Sequence, residues 1–342
     1  MSGTEHLNVI WYVLVGVLFT GYAILDGFDL GTGALHLFTK KDLHRRTLLN
    51  AIGPVWDGNE VWLVTGGGAL FAAFPEVYAT AFSGFYTAFI LLLFMLIFRA
   101  VSIDVRSKQA HPRWRAFWDT AFSVSSLLAS LLIGVALGNI AYGVPLTAEG
   151  IYYGSVFAQL HPYALIVGVT TVALFMMHGA IYLVMKTDGE LNAIIRNWIR
   201  PTMIFFFLMY TITTVATLLY VPKMTQPFQR SPWLFVVPLL TILAIANIPR
   251  EIHHGREFRA FLSSCVAMVA LMALFGIGMF PELIHSNPNP EYSLTAFNAA
   301  SSPKTLKTML TIALIGMPLV LAYTFSIYWI FRGKVKMDNM SY

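Results

Sequence analysis

The residues of this chain that could do chemistry are acids set inside apolar runs. Asp26 and Asp29 lie in LDGFDLGTG, and Asp57 and Glu60 in GPVWDGNEVW. Each pair is three residues apart, the spacing that puts two side chains on one helix face. Arg99 closes a long apolar run, and Asp104 and Lys108 follow it. An ionisable group at the centre of a bilayer costs about 2.5–3.5 kcal/mol, so each of these asks for a reason. One reason is structural. Asp57 stands near a helix amino terminus, where free N–H groups and the helix dipole favour a carboxylate. Asp29 is placed to pair with Arg99, and Arg99 by itself reads as an anchor snorkelling to the inner interface. The other reason is chemical: a hydrated row of acids carrying protons from the cytoplasm to a buried redox centre. Burial and a neighbouring guanidinium pull on a carboxyl's proton in opposite senses, so such a row can exchange protons near neutral pH.

These side chains need helices to hold them. Nine apolar stretches are long enough to span a bilayer, residues 8–36, 53–74, 78–100, 116–143, 159–185, 200–222, 232–249, 258–280 and 306–332. The chain holds 22 Lys and Arg, and all but Lys223, Arg230, Lys304 and Lys307 fall on alternate connections. That asymmetry predicts an all-α integral membrane protein, one bundle over 1–342, with its amino terminus outside and its carboxyl terminus in the cytoplasm. In this arrangement Asp29 lies about 10 Å from the inner end of its helix, Asp57 about one turn deep and Glu60 about two. Four acids and Arg99, from three separate helices, converge at the inner side.

Composition agrees. The chain is 57% hydrophobic and 11% charged, against about 25% charged in a soluble domain. Its net charge of +5 comes from short basic loops that meet an anionic inner leaflet, which excludes a nucleic-acid binder. The single cysteine, Cys265, excludes a disulfide framework and a thiolate metal site. The first apolar stretch is too long for a signal peptide and reads as a permanent helix. The segment 281–305 reads as an external loop whose prolines and asparagines break helix and sheet alike, and 143–158 as a second. Gly66, Gly67, Gly68, Gly134 and Gly138 are expected to let helices approach closely. His161 and His178, both in the fifth span, are seventeen residues apart. That is about 25 Å along the axis, so they cannot share an iron. His161 reads as an interface residue and His178 as a hydrogen-bonding partner of a neighbouring helix. No metal-ligand set and no phosphate-binding loop is seen. Two rival readings are a proton-coupled secondary transporter and a purely structural scaffold.

Taken together, GYAILDGFDLGTG, GPVWDGNEVWLVTGGGALFAAFPEVYATAFSGFY and FRAVSIDVRSK closely resemble subunit II of the cytochrome bd-type quinol oxidases. The likeness is dense over 8–140 and looser beyond. It implies a bacterial plasma-membrane complex that oxidises quinol and reduces dioxygen to water, generating proton motive force without pumping. It implies that haem b and haem d belong to a partner, subunit I. This chain then supports assembly of the haem site and contributes a cytoplasmic proton path. By the same resemblance that path includes Asp57, Asp104, Lys108 and the terminal Tyr342, with Asp26, Asp29, Glu60 and Arg99 as supporting charge and no catalytic residue in the chain. A small single-helix subunit and a structural quinone or lipid occur in the same setting, without a motif here that fixes their contacts.

Overall fold

Bare backbone sets the centre of the bundle. The structure, a computed structural model, describes residues 5–336. Its helices are α1 (Glu5–Leu35), α2 (Asp42–Ile52), α3 (Trp56–Ala73), α4 (Pro75–Gly84), α5 (Tyr86–Val105), α6 (Pro112–Tyr142), α7 (Pro162–Lys186), α8 (Gly189–Tyr220), α9 (Gln226–Arg230), α10 (Val236–His253), α11 (Glu257–Met279) and α12 (Pro303–Ile330). Strands β1 (Glu282–Ile284) and β2 (Leu294–Thr295) pair antiparallel. Helix α1 crosses α7 where Gly31 meets Gly179. A Cβ at Gly31 would stand 1.9 Å from the Phe175 carbonyl oxygen, and one at Gly179 2.7 Å from the Gly31 carbonyl carbon. Small residues thus bring the two backbones together, as helices in lipid require. Gly134 and Gly138 do the same for α6, whose neighbours on α7 are Gly168 and Ala164. Gly67 and Gly68 do not: no neighbour comes within 4 Å of either, so they face out of the chain.

Eight helices among the described residues are long and apolar enough to cross a membrane. The eighteen-residue α3 is not one of them, because Asp57, Asn59 and Glu60 fill its first turns. The ends of the helices sort into two groups. At the basic end Leu35, Leu48, Ile52, Ile103, Leu183, Leu191 and Ile195 form one buried cluster. At the far end Trp11, Phe74, Val144, Leu146, Ile284 and Leu306 form another.

Several expected boundaries move. The run 78–100 is not one helix, because the chain bends at Gly84 and Phe85 between α4 and α5. The bend is held by the Gln159 amide, which donates to the Gly84 carbonyl at 2.7 Å. Helix α8 begins at Gly189 instead of 200 and runs through Pro201. Its early turns bury Leu191, Ile195 and Ile199 at i, i+4 and i+8, an amphipathic face that average hydropathy hides. The short amphipathic α2 escapes for the same reason. The loop at 281–305 is built, not broken. β1 and β2 pair within it, its Ser286 side bridges to Val144, and Ser301 donates its N–H and hydroxyl to the carbonyls of Ala73 and Ala72 at 2.8 and 2.6 Å. The last turn of α3 is satisfied by that loop.

Candidate functional site

The acids of α1 and α3 meet Arg99 of α5 in the interior. Asp26, Asp29 and Arg99 are fully buried. Arg99 Nη2 donates to Asp26 at 2.7 Å and also to Glu60. Asp29 is not paired with Arg99. It accepts from the Asn59 amide at 2.8 Å, and that amide also donates to the Leu25 carbonyl at 3.1 Å. The Tyr328 hydroxyl of α12 closes the set by donating to the Asn59 side-chain oxygen at 2.8 Å. Arg99 is therefore a buried hub and not a snorkelling anchor. α5 continues to Val105, so Arg99 sits more than one turn inside its helix. The local reason for the cluster is spacing. Asp26 and Asp29 share a face of α1, while Asn59 and Glu60 come from the second turn of α3.

The cluster is under-satisfied. Asp26 Oδ2, Asp29 Oδ1, Arg99 Nε and Arg99 Nη1 are buried without a hydrogen-bond partner in the protein. Buried polar groups are almost always hydrogen-bonded, to protein or to water, so these atoms are open to a further partner such as water. Glu60 is the one acid of the group that is not fully buried, with 19% of its side chain exposed.

The remaining expected residues lie at the rim. Asp57 is in the first turn of α3 and exposed, as are Asp104 near the end of α5 and Lys108 just after it. None of the three makes an ion pair among the described residues. Tyr342 lies outside the described residues.

A second ionic group was not anticipated. Asp119 of α6 is buried and accepts four bonds. Its Oδ1 takes His36 Nε2 at 2.6 Å and Arg106 Nε at 2.8 Å, and its Oδ2 takes Arg45 Nη1 at 2.8 Å and Arg106 Nη2 at 3.1 Å. Arg106 also reaches Asp42 at 2.7 Å, which accepts from Arg115 at 2.9 Å. The signal for this knot was present. Asp119, Ser123, Ser126 and Ser130 repeat at helical spacing and are all buried, a polar stripe inside an apolar helix.

Comparison with known proteins settles the family. The family described as "Cytochrome bd terminal oxidase subunit II" matches residues 7–331. The chain belongs to the cytochrome bd terminal oxidase subunit II family. It is 36% identical to "Cytochrome bd-I ubiquinol oxidase subunit 2" of Escherichia coli K12, over 99% of this chain and 98% of that one. It is 32% identical to "Cytochrome bd ubiquinol oxidase subunit 2" of Bacillus subtilis, over 98% and 99%. The fold is similar to a chain in "The structure of bd oxidase from Geobacillus thermodenitrificans", with a TM-score of 0.79 at 17% identity over 95% of this chain. This subunit II is thus a multi-pass protein of the bacterial plasma membrane.

One histidine of this subunit II lacks a free nitrogen for an axial haem bond. His178 has both ring nitrogens engaged, with Ser264 of α11 at 2.8 Å and the Ile24 carbonyl of α1 at 3.0 Å, the interhelical role expected of it. His161 caps α7 by accepting from the Ala164 N–H at 3.3 Å. His36 is held by Asp119.

Proposed function

We propose that this subunit completes a quinol:dioxygen oxidoreductase by supporting a haem-bearing companion, subunit I, and by supplying it with cytoplasmic protons. The observation that carries the reading is the buried group of Asp26, Asp29, Arg99 and Glu60, in which each Asp keeps one oxygen without a protein partner and Glu60 is partly exposed. In this reading the chain crosses the membrane nine times, α3 being the ninth span and α4 with α5 one bent span. The basic end is cytoplasmic and the amino terminus outside, in keeping with the Lys and Arg asymmetry. Asp104 and Lys108 mark the mouth, together with Tyr342, and Asp57 stands between the mouth and Glu60. The bare face of α3, with Gly67, Gly68, Asp57 and Glu60, is where subunit I has to sit to receive those protons. A quinone or lipid tail in this chain would lie against the open, shallow face between α10 and α11, lined by Leu240, Leu243, Leu262 and Val266, with Arg250 beside them.

The test is quinol-driven oxygen uptake by the purified complex carrying Asp57→Asn, with the haem spectrum measured alongside. The expected result is turnover about tenfold lower with haem content kept, as for a lost proton-transfer group. Unchanged turnover and unchanged haem would remove Asp57 from the path. Loss of haem with loss of turnover would return it to a structural role. Asp104→Asn, read the same way, tests the mouth.

A further inference from the structure

One face of α1, continued by the 3-10 turn that begins at His36, carries more than the two acids. Tyr22, Asp26, Asp29, Thr32 and His36 follow one another at spacings of four, three, three and four residues. At 3.6 residues per turn they occupy an arc of about 120°. All five are buried. Asp26 Oδ2, Asp29 Oδ1, Thr32 Oγ1 and His36 Nδ1 each lack a partner within the protein. Thr32 is the informative member. Buried helical hydroxyls elsewhere in this chain, such as Ser102, Ser126 and Ser130, return to a carbonyl of the preceding turn at 2.5–2.7 Å. Thr32 does not, although nothing covalent prevents it. A buried hydroxyl that forgoes its own backbone is open to water, as are the other unpartnered atoms of the row.

The row also leads somewhere. Its lower end, His36, shares Asp119 Oδ1 with Arg106. Arg106 Nη1 and the hydroxyl of Ser107 are again buried and unpartnered, and Lys108 follows them. Because Asp119 fixes His36 through Nε2, the nitrogen left to the row is Nδ1, the one nearer the α1 backbone.

We propose that this face of α1 is an internal proton route, joining the cytoplasmic mouth beside Ser107 and Lys108 to Asp26 and Glu60 by way of His36 and Thr32. It rests on the proton role proposed above and differs from it in course: it runs inside the bundle, not over Asp57 on the exposed start of α3. His36 takes up a proton at Nδ1 from the cytoplasmic side and releases it from the same atom, and Thr32, with water filling the row, accepts one proton and gives one toward Asp29. Each group returns to its starting charge once a proton has passed, and one proton arrives at Glu60 for each that enters. His36 and Thr32 are positioning and relay groups, not catalytic residues.

Thr32→Val separates the route from a structural role, because the two predict different turnover. The substitution keeps the shape of the side chain and removes an unpaired buried hydroxyl, so packing alone predicts a complex of equal or greater stability and unchanged turnover. The route predicts oxygen uptake about tenfold slower, a larger solvent deuterium effect and intact haem content, with activity restored by Thr32→Ser. Asp57→Asn is run in parallel in the full complex. Slow Thr32→Val with rescue by serine supports the route. Normal Thr32→Val with slow Asp57→Asn overturns it and leaves the proton role standing. Normal turnover in both overturns the route together with the reading it rests on.

Discussion

Two buried ionic groups, one on each side of the α1 carboxyl terminus, use the same residue types to opposite ends. Asp119 is saturated: both its oxygens take two donors each, from His36, Arg45 and Arg106. Asp26 and Asp29 each keep one oxygen without a protein partner, and Arg99 keeps two nitrogens. A carboxylate surrounded by four donors is held ionised and immobile, and it ties loop, helix and turn together. A carboxylate with an oxygen facing water can take up and release a proton without breaking the bundle. The first arrangement fastens the basic end; the second is suited to exchange.

The contrast can be broken most severely at Arg99. Arg99→Met leaves Asp26 and Glu60 buried without their counter-charge, and a loss of about 5 kcal/mol follows. The expected outcome is failure to assemble, read as missing haem in the purified complex. Asp119→Asn comes next, at about 3 kcal/mol, because Arg106 keeps Asp42 and Arg45 is partly exposed. It lowers thermal stability of the complex, and because Asp119 also holds His36, turnover per haem falls no further than in Thr32→Val; a larger fall would show Asp119 itself exchanging protons and erase the distinction between the two groups. Asn59→Ala removes the donor to Asp29 and Leu25 and the acceptor for Tyr328. It costs about 1–3 kcal/mol in thermal unfolding, and retention of full stability would show that Asp29 is held by other means. The smallest effect lies at the far end, where Glu282 meets Lys223 at 2.6 Å and His285 at 3.0 Å. Burial pushes the Glu282 carboxyl up, but His285 and Lys223 outweigh it, so it ionises below its ordinary 4.5. Its contribution is therefore present above that value and fades as pH falls through the lowered one. Burial of Lys223 outweighs its partner and weakens its charge, so the net is small. After solvent screening it stays below about 1 kcal/mol, measurable as faster hydrogen exchange in 281–300 under acid that Glu282→Gln abolishes.

Hydropathy and the placement of Lys and Arg revealed most of the bundle, because a bilayer punishes every polar residue and so writes its spans into composition. Asp26, Asp29, Glu60 and Arg99 were legible as a group for the same reason. What stayed hidden depends on contacts between distant segments. Asp119 was read as part of an apolar span, since its partners come from α1's end, α2 and the turn after α5. Asn59 and Tyr328 carry no charge and gave no warning of their place beside Asp29. The early turns of α8 and the ribbon in 281–305 rest on side-chain burial and backbone pairing that average hydropathy does not report.

The crossing of α1 over α7 has an effect beyond closeness. Gly31 touches Gly179 between Asp29 and Thr32, with no side chain on either helix to act as a spacer. The azimuth of α1 is thereby locked at the middle of its polar column. A methyl group at position 31 would lever the helix off its neighbour and turn every group above and below out of phase together, so one missing carbon atom keeps the column in register.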